Sequence, residues 1–140
     1  MELIPIAPDS KAPTEACAEI HGQTLDYYKL IGYHEPWISY YLKADGEIVG
    51  TCAFKGAPSG EKNKVEIAYY TFEPFEGKGY GTRMCALLLD IAKAHSDVFV
   101  FARTLPETNA SGAILTKNGF ECVGSVIDPE DGEVWEWWLL

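Results

Sequence analysis

The sequence predicts an α/β (α+β) domain built on a mixed, largely antiparallel central sheet flanked by helices. Three observations carry that expectation. Asp45-Gly46 separates two aromatic or β-branched runs, which signals an early hairpin. The middle of the chain alternates strand, helix, strand, helix, which places helices on the faces of a sheet and a right-handed crossover at its centre. Two further strand-like runs close the chain around Asp128-Pro129-Glu130-Asp131-Gly132. At 140 residues the chain is long enough for one core and too short for two ordinary domains, so 1–140 is read as a single unit.

Taken in order, Glu2 to Ala7 reads as a short edge strand, because Pro5 has no N–H to donate to a ladder and is excluded from a central strand. Pro13 and Thr14 open a helix to about His21, with Thr14 as N-cap. Gly22 interrupts it, and Thr24 to Ile31 forms a second helical piece that Gly32 and Pro36 end. Trp37 to Lys43 and Glu47 to Phe54 make the hairpin. Val65 to Phe72 is the next strand, with Val65, Ile67, Tyr69 and Thr71 on one face and Glu66, Ala68, Tyr70 and Phe72 on the other. Thr82 to His95 is an amphipathic helix with Met84, Leu87, Leu88 and Ile91 at helical spacing. Val98 to Ala102 is a continuous apolar strand expected to be buried on both faces. Thr108 to Asn118 is a helix, ended by Gly119 at C′ with Phe120 behind it. Glu121 to Ile127 and Glu133 to Leu140 are the last strands.

Composition removes several functional classes. The hydrophobic fraction of 47% and charged fraction of 23% are those of a water-soluble globular protein. No apolar run approaches the ~20 residues a bilayer span requires, so no membrane partner is expected. The amino terminus MELIPIAPDS has neither a basic n-region nor a long apolar h-region, and a cytoplasmic location is expected. The formal net charge of −10 argues against nucleic acid as a partner. Cys17, Cys52, Cys85 and Cys122 are scattered without a C-x-x-C pair, and His21, His34 and His95 lack ligand spacing. Free thiols are expected, and no metal site.

The run Phe75-Glu76-Gly77-Lys78-Gly79-Tyr80-Gly81-Thr82 joins the Val65 strand to the following helix. Glycines let a backbone turn tightly and approach a ligand closely. The amides that follow belong to a helix start, where N–H groups lack intrahelical partners. Such a loop suits a phosphate or pyrophosphate; a plain strand-to-helix turn explains the same glycines. It is not a nucleotide P-loop, since Lys78 is followed by Gly79 rather than Ser or Thr. Nor is it the dinucleotide fingerprint, since the spacing is G-x-G-x-G at Gly77, Gly79 and Gly81. On so acidic a chain an anion needs local cations, and Lys78, Arg83 and Lys117 are available. Arg83 sits in a first helical turn, where a cation opposes the macrodipole; a bound anion would relieve that, and extension into water would also.

Glu66 stands mid-strand in V-E-I-A-Y-Y. A carboxylate among apolar neighbours is costly unless paired, and burial raises its pKa toward that of a useful general base. A wet strand face near an edge would also accommodate it, but the aromatics sharing that face argue for burial.

At this point the chain resembles a known family. E-I-A-Y-Y-T-F-E-P-F-E-G-K-G-Y-G-T is similar to the acetyl-coenzyme A motif of GNAT N-acetyltransferases, whose core is [RQ]-x-x-G-x-[GA]. Gly79 and Gly81 match its small positions, and Glu76 stands where Arg or Gln is usual. P-E-T-N-A-S-G-A-I-L-T-K-N-G-F resembles the RimJ/RimL type, which shows P-x-N-x-A-S, a helix and K-x-G-F. Pro106, Ala110, Ser111, Lys117, Gly119 and Phe120 match. Thr108 occupies the usual Asn position and Asn109 follows it.

The resemblance implies direct transfer of an acetyl group from acetyl-CoA, as cosubstrate, to a primary amine such as a protein amino terminus or a small-molecule amine. It implies a GNAT-like fold with an acetyl-CoA-binding core over 65–120 and an acceptor-site part over 1–56. Glu66 matches the position of a general base. Ala68, Tyr69 and Tyr70 match backbone that binds the pantetheine or polarises the thioester. The loop Glu76, Gly77, Lys78, Gly79, Tyr80, Gly81, Thr82 and Arg83 matches the pyrophosphate cradle. Thr108 or Asn109 caps the next helix and reaches the pantetheine arm, with Ser111 and Lys117 on the same segment. Relatives carry a tyrosine at the position of Leu115 to protonate the thiolate; Ser111, Tyr70 or water stand in for it here. Tyr33, Trp37 and Tyr41 are aromatic candidates for holding a cationic acceptor. A non-catalytic coenzyme A-binding module of the same fold is the alternative. Tryptophans on both faces of Val134-Trp135-Glu136-Trp137-Trp138 suit a homodimer, or a strand covered on both sides by its own domain.

Overall fold

Seven strands form one sheet in the order β1-β2-β3-β4-β5-β7-β6, in a computed structural model that describes residues 1–95 and 97–140. The strands are β1 (Glu2–Pro5), β2 (Ser39–Ala44), β3 (Glu47–Phe54), β4 (Lys64–Thr71), β5 (Phe99–Thr104), β6 (Phe120–Asp128) and β7 (Gly132–Leu139). Every neighbouring pair is antiparallel except β4 and β5, which are parallel. A parallel pair needs a crossover, and α2 (Tyr80–Lys93) supplies it. Two more helices, α1 (Ala18–Ile31) and α3 (Ala110–Lys117), complete the fold.

β1 lies at the sheet edge, as Pro5 requires. The β2–β3 hairpin turns at Asp45 (φ 51°) and Gly46 (φ 80°), the two positive φ values that a tight two-residue turn demands. Gly119 has φ 89° behind α3, the left-handed C′ position read from the sequence. At the β6–β7 turn, Asp128 Oδ1 accepts the N–H groups of Glu130 (2.8 Å) and Asp131 (3.2 Å), so one side chain fixes the corner.

Four local expectations are corrected. α1 is a single helix through Gly22, preceded by a 3-10 turn over Glu15–Cys17; the propensity cost of one glycine, about 1 kcal/mol, is outweighed by packing on either side, where His21 and Tyr28 are buried. Thr14 precedes that turn but caps no amide, its hydroxyl donating instead to Cys17 Sγ at 3.2 Å. The buried stripe of α2 is Gly81, Met84, Cys85, Leu88, Leu89 and Ala92, with Leu87 and Ile91 half-buried at its border. On β5, Val100, Ala102 and Thr104 are buried while Phe99, Phe101 and Arg103 are partly open, so only one face is closed.

The two sheet faces differ. β4 sends Val65 and Ile67 into the core that includes Met84, Cys85 and Leu88 of α2. Glu66, Ala68 and Tyr70 point to the opposite face, where a shallow groove beside α1 is bordered by Ile20, Thr24, Ser39, Thr51, Ala53, Ala68 and Tyr70. On β7, Trp137 packs over Gly112 of α3, while Trp138 meets Phe99 edge-on and Lys62 at 4.9 Å. Both tryptophan faces thus find partners within the chain. Among the described residues no helix is long and apolar enough to cross a membrane, and no group of three potential metal ligands forms.

Candidate functional site: a fork between two parallel strands

β4 and β5 pair over three residues only: Lys64 opposite Phe99, Val65 opposite Val100 and Glu66 opposite Phe101. β4 runs on to Thr71 and β5 to Thr104 without further pairing. The strands part after Glu66, and a cleft of ≈ 380 Å³ opens between them. Glu66 to Tyr69 line one wall and Ala102 to Leu105 the other; Asn109 and Ser111 come from the start of α3, Asp128, Asp131 and Val134 from the terminal hairpin, and Lys55 from beyond β3.

The fork leaves backbone groups without strand partners. The β3–β4 ladder runs in unbroken register between Lys55 N–H to Glu66 C=O (2.8 Å) and Phe72 N–H to Val49 C=O (2.9 Å). Alternation then commits the amides of Ala68 and Tyr70 to β3 and turns that of Tyr69 toward the cleft. Of the three amides expected to meet a thioester, one faces the gap. The same pairing explains Gly50, where a Cβ would lie 2.5 Å from Tyr70 C=O.

At its far end β4 leads through a 3-10 turn (Glu73–Phe75) into the glycine loop. Gly77 (φ 76°) and Gly79 (φ 83°) are left-handed, a conformation other residues adopt at a cost. A Cβ at either position would meet nothing within 4 Å, so both look onto open space. Gly79 is the N-cap of α2 and supplies no side-chain acceptor. The first main-chain bond into the helix is Arg83 N–H to Gly79 C=O at 3.1 Å; among the described residues no protein acceptor meets the N–H groups of Gly77 to Thr82. These donors, with the positive end of the α2 dipole, form a ready anion cradle. Lys78 and Arg83 are exposed beside it, as is Glu76. Gly81 is buried against α3, its missing Cβ leaving room for Ile114 Cδ1 at 2.5 Å. Asn118 Nδ2 donates to Thr82 C=O at 3.3 Å, which fastens the end of α3, and with it exposed Lys117, beside the start of α2.

The fork's floor is charged. Glu66 has a side chain 17% exposed, with Oε2 3.5 Å from Lys55 Nζ. Burial raises its pKa, and Lys55 and then Arg103 oppose the rise without cancelling it. Arg103 donates from Nη1 to Asp128 Oδ2 (3.0 Å) and from Nη2 to Glu136 Oε1 (3.1 Å). The Asp128 carboxyl is held below its ordinary value by the backbone N–H of Glu130 and by Arg103. Glu136 Oε2 accepts Trp138 Nε1–H at 2.9 Å, so this buried acid is satisfied at both oxygens. Glu66 Oε1 carries no such contact among the described residues and is available to a proton.

Sequence reasoning identified Glu66, Ala68, Tyr69, Asn109 and Ser111, and all five line the cleft. Asn109 is the N-cap of α3, its Oδ1 accepting Gly112 N–H at 3.0 Å; Thr108 is exposed and does not cap the helix. Tyr70 is 55% exposed, lies against Phe72 and does not line the cleft. The acceptor candidates Tyr33, Trp37 and Tyr41 lie apart from the cleft. Tyr41 is a core residue at 2% exposure, its hydroxyl 2.7 Å from His21 Nδ1. Trp37 packs on Phe54 and His95. Tyr33 packs on Tyr28 and donates to Glu35. None of the three lines the cleft. Lys55, Arg103 and Asp128 went unnoticed. Arg103 and Glu136 carried the signal that exposed Glu66, a charge inside an apolar strand.

A family model described as an acetyltransferase (GNAT) domain matches residues 3–121. No curated protein sequence matches the chain. Among solved structures, aminoglycoside acetyltransferase AAC(6′)-Ib in complex with coenzyme A aligns at 21% identity and a TM-score of 0.63, over 71% of this chain. This chain spans 64% of that enzyme's length. RimL, a ribosomal L7/L12 α-N-protein acetyltransferase, in complex with coenzyme A aligns at 19% identity and 0.66, over 88% of this chain and 70% of that one. A ribosomal-protein-alanine N-acetyltransferase from Brucella melitensis aligns at 20% and 0.66, over 88% and 78%. These likenesses establish the shared fold.

Proposed function

The chain belongs to the GNAT acetyltransferase family, and we propose that it moves an acetyl group from acetyl-CoA to a primary amine by direct attack, with Glu66 as general base. The observation that supports this reading is the fork: its cleft holds an unpaired strand amide and a part-buried carboxylate, and β4 leads from it into the loop whose free amides start α2.

In this reading the N–H groups of Gly77 to Thr82 hold the pyrophosphate, with Lys78, Arg83 and Lys117 supplying the cations the acidic chain otherwise lacks. Binding requires no side chain at position 76, and exposed Glu76 can turn to water. The pantetheine arm enters between β4 and β5 past Asn109. The Tyr69 N–H donates to the thioester carbonyl, whose oxygen gains charge as the amine attacks. An ammonium has no lone pair, so Glu66 accepts the proton first; its raised pKa suits that task. Ser111 faces the departing sulfur. The acceptor approaches from the α1 side of the sheet, along the groove bordered by Thr51, Ala53 and Ala68. The carboxylates of Asp131 and Glu66 in the cleft favour a cationic amine, whether a protein amino terminus or an aminoglycoside-like molecule. The buried free thiols Cys17, Cys52 and Cys85 suit a reducing, cytoplasmic setting.

The second reading is a coenzyme A-binding module without catalysis. The Lys55–Glu66 ion pair and Leu115 in place of a tyrosine favour it. Thiol release from acetyl-CoA in the presence of spermidine, kanamycin and a short peptide with a free amino terminus separates the two. Turnover with at least one amine is expected; tight binding of acetyl-CoA without turnover would replace the enzyme with the module.

A further inference from the structure

This inference rests on the acetyl-transfer reading and concerns how its leaving group is protonated. We propose that Tyr69 is a positioning residue acting through Ser111: its phenol aims the Ser111 hydroxyl into the cleft and replaces the proton that hydroxyl gives to the departing thiolate.

The Tyr69 hydroxyl donates to Ser111 C=O at 3.1 Å and lies 3.1 Å from Ser111 Oγ, so its one proton is placed between the two oxygens, linking β4 to the first turn of α3 across 42 residues of chain. Both residues line the cleft. Leu115, further along α3, is fully buried and has no proton to give. Serine alone is a poor donor here. A thiol releases its proton near pH 8.5 and a phenol near about 10, while a hydroxyl such as that of water holds it to about 15.7. Giving up the Ser111 proton to sulfur is steeply uphill unless another group refills the oxygen in the same event. The phenol is the hydroxyl in contact that can do so. Burial pushes the Tyr69 pKa up, which keeps the phenol protonated but makes it a weaker acid than a free phenol, so the transfer has to be concerted with the charge that builds on sulfur as the carbon–sulfur bond breaks.

The step balances. The carbon–sulfur bond breaks with its electron pair on sulfur. Sulfur takes the Ser111 proton, Ser111 Oγ takes the Tyr69 proton, and the phenolate recovers one from water. The proton lost by the amine leaves through Glu66.

The test uses Tyr69→Phe, which keeps the ring, beside Ser111→Ala. With acetyl-CoA and the best amine of the panel, each variant should lose about 10²-fold in kcat, within the range for a positioned proton transfer, with little change in KM for acetyl-CoA. The double variant should lose no more than either single one, because both act in one relay. The acetyl thioester of a nitro-substituted aromatic thiol, whose thiolate departs unprotonated, should restore most of the loss in kcat/KM. A merely structural role would not be rescued by a better leaving group. A Tyr69→Phe enzyme matching the wild type with acetyl-CoA, equal losses with both thioesters, or losses that multiply in the double variant would each overturn the proposal. If Tyr69→Phe fails to fold, the two-thioester comparison on Ser111→Ala decides whether the hydroxyl pair protonates sulfur. A wild type that acetylates nothing would remove the acetyl-transfer reading itself, whereas a working wild type matched by Tyr69→Phe removes only the relay.

Discussion

Lys55 Nζ stands 3.5 Å from Glu66 Oε2 where β4 and β5 separate, so the proposed base faces a cation before any amine arrives. Its pKa is nevertheless raised, since loss of water outweighs the Lys55 charge. Removing the carboxylate by Glu66→Gln should lower kcat by about 10²–10⁴-fold, measured as thiol release at saturating substrates. Lys55→Met should leave an active enzyme whose acidic limb in the kcat profile moves to higher pH. The sign follows from charge: without Lys55 the anion is less favoured, so Glu66 holds its proton longer. An acidic limb that moves down or stays would separate Glu66 from the observed titration.

Gly79→Val tests the loop. The residue has φ 83° and open space before its Cα. Valine resists that conformation and would project into the anion's place. Acetyl-CoA affinity by calorimetry should fall below detection while the fold, read by circular dichroism, is kept.

Gly81 tests how α2 and α3 hold the loop's base. A Cβ there meets Ile114 Cδ1 at 2.5 Å. Gly81→Val should cost about 1–3 kcal/mol in chemical denaturation, the usual range for overpacking. Adding Ile114→Ala should recover part of it, since the obstructing atom is the end of one side chain.

Asp128 links stability to pH. Its carboxyl is held below the ordinary value in the folded chain. The stabilisation is therefore present above the unfolded value of about 3.9 and lost as pH falls through the lower folded value. Asp128→Asn should be less stable than the wild type at neutral pH, and the two melting temperatures should converge in acid. A gap independent of pH would contradict the assignment.

Elements set by local chemistry were legible in the sequence. Glu47–Phe54 is bounded by a turn pair and a polar loop, and β3 occupies those residues. Gly119 marked the end of α3 because only the left-handed region continues the chain there. α1 was read as two pieces because its continuity depends on packing of His21 against Tyr41, 20 residues away. Within the site, Glu66 and the glycine loop were visible as local anomalies. Arg103 and Glu136 carry the same local signal, but their pairing with each other and with Asp128 joins positions 25 and 33 residues apart through a sheet register that no local pattern specifies. The three acceptor aromatics pack in or against the core and not in the cleft, as an aromatic in a small domain readily does.

The central claim is that main-chain donors of the loop and the fork grip one thioester along its length. A crystal structure with acetyl-CoA bound tests it most directly. The account predicts the pyrophosphate within hydrogen-bond distance of the Gly77–Thr82 amides, the acetyl carbonyl on Tyr69 N–H, and the thioester beside Glu66. A cofactor bound elsewhere, or one whose acetyl group ends away from Glu66, would contradict it.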